Sequence, residues 1–137
     1  YRNHAQEDSM WNTPPTFGIY VMGLVAKWLE ETVGGLEAMH GINQEKARLV
    51  YAAMDRHPTM YIGHARPEDR SLMNATYKLP SESLENAFLA EAKTLGLDSL
   101  KGHRSVGGIR ASIYNAMPME GVQTLVQLMD SFASKHA

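Results

Sequence analysis

The 137-residue chain has no cysteine, which removes disulfide staples, thiolate metal sites and a cysteine nucleophile at once. No apolar run approaches the ~20 residues needed to span a bilayer, and the N-terminal residues lack the basic and apolar regions of a signal peptide. No membrane segment is expected, and a cytoplasmic location is. Excess charge of either sign is also missing: 13 Lys and Arg stand against 15 Asp and Glu. With no basic run interleaved with aromatics, a nucleic-acid partner has no support. An initiator Met is absent too, and the first eleven residues (YRNHAQEDSMW) are polar without a clear helical period. The expectation is a chain that begins partway through something longer. Its length suits one domain with a real core and is too short for two ordinary ones.

What is present is periodic. Asn12-Thr13-Pro14-Pro15-Thr16 is a rigid extended approach, and Phe17, Tyr20, Val21, Leu24 and Trp28 follow at helical spacing. Asn12 and Thr13 read as ordinary capping residues, although a helix N-terminus with hydroxyls nearby also suits a phosphate. Gly34-Gly35 ends this helix. Leu36, Met39, Asn43, Ala47, Val50 and Met54 trace the inner face of a second, which stops before Pro58. Met22, Met39 and Met54 read as core gap-fillers. His40 and His57 have no partner at ligand spacing, so no metal is assigned. Met60 to Ile62 is a short strand candidate, Gly63 to Arg70 a solvated charged loop, and Leu72 to Leu79 a strand closed by Pro80 and Ser81. Leu84, Ala87, Phe88, Ala92 and Leu95 form the stripe of a third helix, capped by Ser81 or Ser83 and ended by Gly96. Leu97 to Leu100 leads toward a further strand. Pro118 opens a fourth helix, with Val122, Leu125, Val126, Met129 and Phe132 as its apolar face. The order helix, helix, strand, strand, helix, strand, strand, helix predicts an α/β fold, an α+β-like small domain. Its small mixed or antiparallel sheet of about three or four strands is covered by helices mostly on one face.

Candidate binding chemistry is concentrated in KGHRSVGGIRASIYNAMP, Lys101 to Pro118. Ile109, Ala111 and Ile113 alternate with Arg110, Ser112 and Tyr114, the period of a half-buried strand. Arg110 then sits mid-strand on the polar face, where an unpaired guanidinium costs several kcal/mol to desolvate and needs a carboxylate or phosphate opposite it. Its planar fork suits a carboxylate bound through two oxygens. His103 and Arg104 precede Gly107-Gly108, glycines that permit a tight turn or close approach of a ligand. One reading is a pocket for a small molecule with two anionic ends, Arg110 taking a carboxylate and His103 with Arg104 a phosphate or second carboxylate. The other is an internal Arg110–Glu pair beside a solvated loop, and the stretch alone leaves both open.

Three blocks taken together carry a resemblance: NTPPTFGIYVMGLVAKWL (Asn12 to Leu29), INQEKARLVY (Ile42 to Tyr51) and KGHRSVGGIRASIYNAMPMEGV (Lys101 to Val122). They resemble the C-terminal third of the phosphoserine aminotransferases, class V aminotransferases of fold type I. The likeness runs from about Tyr1 to the end and is looser between Pro58 and Gly96. It implies that residues 1–16 lead in from a large domain and that residues 17–137 form the C-terminal small domain of a homodimeric pyridoxal phosphate enzyme. The implied reaction is transamination between phosphoserine with 2-oxoglutarate and 3-phosphohydroxypyruvate with glutamate, in serine biosynthesis and, in many bacteria, pyridoxine biosynthesis. By position, the resemblance gives Arg110 the substrate α-carboxylate, and His103 and Arg104 the distal phosphate or carboxylate. Asn12 and Thr13 take the cofactor phosphate of the neighbouring subunit.

The departure from the family pattern is large. Lysines stand at 27, 46, 78, 93, 101 and 135, and none lies in the family's Schiff-base motif, which belongs to the large domain. The aromatic that stacks on the cofactor and the acid that pairs with its ring nitrogen are missing with it. No catalytic residue is therefore expected in this chain, and these residues alone are expected to be inactive. The alternatives are a free-standing non-catalytic domain that binds a small phospho-carboxylate or a protein partner, and a structural module whose basic residues are paired internally. An exposed apolar surface on the first helix would favour part of a larger enzyme over either.

Overall fold

Ile109, Ala111 and Ile113 are exposed by 1%, 1% and 2%, while Arg110 and Ser112 between them stay half-buried. The predicted alternation is the one the backbone adopts. The structure, a computed structural model, describes residues 1–136. The chain divides into two units, Tyr1–Met39 and His40–Ala137.

The first unit holds a short helix α1 (Arg2–Gln6) and a longer one, α2 (Thr16–Trp28), which continues into a π-helical turn at Leu29–Val33. α1 lies where no helical period is visible, because five residues make too few turns for periodicity to register. Gly34 and Gly35, at φ 96 and 97, terminate the π turn in the left-handed region. α2 buries none of its residues.

Helix α3 (Leu36–Arg56) begins at the end of the first unit and runs into the second. Then come β1 (Ile62–Gly63), β2 (Asn74–Lys78), α4 (Glu82–Thr94), β3 (Ile109–Ser112) and α5 (Met119–Lys135). The sheet is three-stranded and antiparallel in the order β1-β2-β3, within the predicted class. Of the two strands expected between the third and fourth helices, only β3 forms. Ser99, at φ 60, turns the backbone out of the extended region. What remains is a single bridge between Lys101 and Ile109, with the Arg110 N–H donating to the Leu100 carbonyl at 2.7 Å. Ser81 is the cap of α4, its Oγ accepting from the Leu84 N–H at 3.3 Å.

One face of the sheet is apolar and carries the core. Ala75, Tyr77, Ile109 and Ala111 pack in a single buried cluster with Val50 and Met54 of α3, Phe88 and Ala92 of α4, and Leu128 and Phe132 of α5. Helices therefore cover one face, as the element order predicts. Aromatic rings hold the cluster together edge to face: Tyr61 on Tyr77 at 5.4 Å, Tyr77 on Phe88 at 6.4 Å and Phe88 on Phe132 at 5.3 Å. The Tyr61 hydroxyl donates to the Met129 carbonyl at 2.7 Å and joins the loop before β1 to α5. No helix among the described residues is long and apolar enough to cross a membrane.

Phe88 touches three of these elements, so Phe88→Ala is expected to lower unfolding free energy by about 3–5 kcal/mol, measured by urea denaturation. A loss under about 1 kcal/mol would mean that the ring cluster is not what joins sheet to helices.

Candidate substrate site

Antiparallel register sorts the polar residues. Thr76 is paired with Arg110 and Asn74 with Ser112, on the face turned away from the helices. Ser112 Oγ and Tyr114 OH both donate to Asn74 Oδ1, at 3.2 and 3.1 Å. Arg110 is different. Its Nε is buried without a hydrogen-bond partner, and none of the ion pairs among the described residues includes it. The internal Arg110–Glu pair is not formed, and the guanidinium remains available to a ligand carboxylate.

The loop before β3 is a closed turn. The Gly102 N–H donates to the Gly108 carbonyl at 2.7 Å, and the Val106 and Gly107 N–H groups donate to the His103 carbonyl at 2.9 and 2.8 Å. A Cβ at position 102 would lie 2.1 Å from the Gly107 oxygen, and one at 108, where φ is 71, 2.6 Å from the Tyr77 oxygen. Only glycine allows that closure. The loop orients His103: Ser105 donates its N–H to Nδ1 at 3.3 Å, and its Oγ lies 2.7 Å from the same atom. With Nδ1 an acceptor, the neutral ring carries its proton on Nε2, a donor facing outward from this contact. Ser105 was not singled out in the sequence, because nothing local distinguishes it from any loop serine.

His103 and Arg110 line one cleft of about 260 Å³, together with His64 and Thr76. No carboxylate contributes to it. Arg104, next to His103, is exposed and outside this lining. Arg110 also lines a second cleft of about 320 Å³ with Leu100, Ser112, Met117 and Leu125. His64 falls in the stretch read as a solvated loop. Its place in the cleft follows from strand pairing, which local composition does not show.

Lys46 has the least expected environment. Its side chain is 0% exposed, and Nζ donates to the carbonyls of Tyr114, Asn115 and Met117 at 2.7, 3.5 and 3.2 Å. Burial pushes its ammonium below the ordinary lysine range. Asn43, one turn earlier, donates through Nδ2 to Asn115 Oδ1 at 2.8 Å. The pair pins the corner by which β3 passes into α5. A signal for Lys46 existed, since 43, 46, 47, 50 and 54 fall on one face of a helix.

Asn12 and Thr13 lie exposed in the first unit, in the stretch before α2. They do not cap the helix: its N-cap is Pro15, with no side-chain bond. Their amide and hydroxyl are left for other acceptors. No group of three metal-ligating side chains occurs among the described residues.

These features belong to a known class. The chain is a member of the aminotransferase class-V family, whose model matches residues 1–125. Within it, the chain is similar to the phosphoserine aminotransferase of Rhodopirellula baltica, 56% identical over 137 residues that make up 100% of this chain and 36% of that protein. The phosphoserine aminotransferase of Bacillus circulans subsp. alkalophilus superposes with a TM-score of 0.92 at 46% identity, over 100% of this chain and 38% of that one. A PLP-bound phosphoserine aminotransferase from Trichomonas vaginalis gives 0.85 at 44% identity, over 95% of this chain and 37% of that one. The chain thus spans little more than a third of these relatives.

The loop between β1 and β2 is tethered to α3 by Arg70, which donates to both Asp55 carboxylate oxygens at 2.6 and 2.8 Å and lies 4.7 Å over the Tyr51 ring. Hydrogen bonding from Arg70 holds Asp55 below its ordinary carboxylate range, against the opposing effect of burial. Because the folded value is depressed, the pair stabilises above about pH 4 and its contribution is lost as pH falls through the folded value. The Tm difference between the native chain and Asp55→Asn is therefore expected at pH 7 and should close as pH falls through the depressed folded value. A difference that persists in acid would detach Asp55 from the tether.

Proposed function

We propose that this chain is the substrate-clamping C-terminal part of a phosphoserine aminotransferase, which exchanges an amino group between phosphoserine with 2-oxoglutarate and 3-phosphohydroxypyruvate with glutamate. The observation that carries this is the half-buried Arg110, with no internal partner, in a cleft lined by His103 and by no carboxylate. Both amino-acid substrates bear an α-carboxylate and a second anion, and this cleft offers one planar cation and further donors to such a ligand. Arg110 takes the α-carboxylate, and His103 with Arg104 takes the distal phosphate or side-chain carboxylate. Serine biosynthesis, and pyridoxine biosynthesis in bacteria, are the pathways that the reaction serves.

Pyridoxal phosphate is the cofactor of this reading, and Asn12 and Thr13 fit its phosphate. They offer one amide and one hydroxyl donor, neither engaged with α2. Two neutral donors hold an edge of a phosphate dianion, so other residues carry the rest of the cofactor. When bound, the cofactor withdraws electrons from the substrate's α-carbon and makes its proton removable. This chain's residues bind and orient the amino acid for that step. No lysine lines either cleft at Arg110, and Lys46 is held by three carbonyls. The Schiff-base lysine is accordingly assigned to the large domain, which residues 1–16 lead in from, and residues 17–137 are the small one. A homodimer in the cytoplasm is the assembly proposed.

A free-standing binding domain is the competing reading, and α2 weighs against it. Phe17 is 80% exposed and Met22 74%, with Ile19, Tyr20, Leu24 and Val25 exposed beside them. An apolar surface of that composition is expected under another layer of protein.

In the full-length enzyme, Arg110→Lys is expected to raise KM for both phosphoserine and glutamate by at least ~10-fold and to lower turnover, since a point charge replaces a two-pronged donor. Unchanged kinetics with both would remove Arg110 from the site. Asn12→Ala or Thr13→Ala is expected to weaken cofactor retention, read as loss of the visible absorbance band on dialysis; full retention in both variants would take the pair out of the phosphate site.

A further inference from the structure

Strand pairing sets a row of side chains across the polar face of the sheet. β1 ends with Gly63 paired to Tyr77, so His64 is the next residue along, level with Thr76; Thr76 in turn is paired with Arg110. His64 and Arg110 are thus about two strand spacings apart, roughly 10 Å between backbones. The loop at Gly102 to Gly108 brings His103 to the same cleft. Its ionisable lining groups are His64, His103 and Arg110, none of them acidic. The lining thus combines a guanidinium with two imidazoles carried by separate elements.

We propose that His64 is a specificity-determining residue. Together with His103 Nε2 it forms the seat for the distal anion of the substrate, and that seat favours a phosphate over a carboxylate. The proposal rests on the reading of Arg110 as the α-carboxylate clamp. A phosphate presents three oxygens in a tetrahedral array, so donors arriving from β1 and from the loop before β3 each meet a different oxygen. A carboxylate has two oxygens in one plane and gains less from a second donor off that plane. His64 stands exposed, one residue beyond the end of β1. On its near side is the pairing of β1 with β2, and on its far side the Arg70–Asp55 tether with the Tyr51 hydroxyl donating to the Ser71 carbonyl at 2.9 Å.

The test compares KM for phosphoserine in one direction and glutamate in the other, in the full-length enzyme and its His64→Ala, His64→Gln and Arg110→Lys variants. His64→Ala is expected to raise KM for phosphoserine about tenfold, the loss of one hydrogen bond to a charged group, and KM for glutamate less than about threefold. His64→Gln keeps an N–H donor and is expected to recover most of the loss. Equal changes for both substrates, or none for either, overturn the assignment of His64. So does a Gln variant as poor as Ala, which would mean that the ring fills space and does not donate. If Arg110→Lys raises both KM values while His64→Ala moves neither, the His64 seat alone is lost. If Arg110→Lys also leaves both unchanged, the clamp reading falls and takes the seat with it.

Discussion

The antiparallel register of β2 against β3 decides what each face of the sheet does. With Thr76 opposite Arg110, the apolar residues of both strands fall on the helix-covered side and the cation on the other. A slip by one residue would carry the guanidinium into the ring cluster of Tyr77 and Phe88 and turn Ile109 outward. Two contacts outside the ladder resist that slip. Ile113 donates its N–H to the Met73 carbonyl at 2.9 Å beyond one end. At the other, Gly108 lets the backbone close on Tyr77, where any side chain would collide. The site is set by pairing geometry before any ligand contributes.

Helix α3 then fixes the loops at both margins of that sheet. Near its middle, Lys46 and Asn43 pin the corner Tyr114–Met117 that leaves β3; near its end, Asp55 holds Arg70 in the loop that leaves β1. The two tethers differ in kind. A surface pair such as Asp55–Arg70 is worth little in free energy and acts mainly on geometry. A fully buried ammonium costs several kcal/mol to desolvate and is tolerated because three carbonyls surround it. The carbonyls belong to a turn in which Tyr114 already accepts from the Met117 N–H at 2.9 Å, and the ammonium adds a donor that ties all three to α3. Replacing Lys46 with an apolar residue would remove the ammonium's desolvation cost and leave the turn's carbonyls short of one donor.

Much of the fold was legible in the chain because its signals are local. The alternation at Ile109–Ile113, the stripe from Leu84 to Leu95 and the Ser81 cap each depend on a few neighbouring residues, and each matches an element of the structure. The second strand expected before the last helix shows the limit: where the chain approaches β3, one positive φ at Ser99 turns it out of the extended region and leaves a single bridge. Within the candidate site, the alternation predicted which face Arg110 occupies, but its freedom from an internal partner follows from where every carboxylate lies in space. His64 is less legible still. It reaches the cleft because a two-residue strand pairs with β2, and pairing partners are not written next to one another in sequence. Lys46 lay in plain view on an apolar helix face, yet its role requires the Tyr114–Met117 turn to arrive opposite it. Asn12 and Thr13 were misjudged as caps for a different reason: Pro15 takes the N-cap position itself and leaves their side chains outside the helix.

On the reading proposed above, the distribution of chemistry along the chain separates binding from catalysis. The cleft lined by Arg110, His64 and His103 carries one guanidinium and two imidazoles, and neither it nor the second cleft at Arg110 is lined by a lysine. Binding energy collected there accelerates a reaction only when the reacting atoms are presented to a group that strengthens its hold in the transition state. On the reading proposed above, that group belongs to the large domain. α2 carries a corresponding structural imbalance: among its 13 residues the only charged side chain is Lys27, and none of the helix is buried. A helix apolar on nearly all sides is stable in water only when other protein covers it. On the same proposed reading, the cleft is completed by a lysine and α2 by a covering layer, and one large domain would supply both.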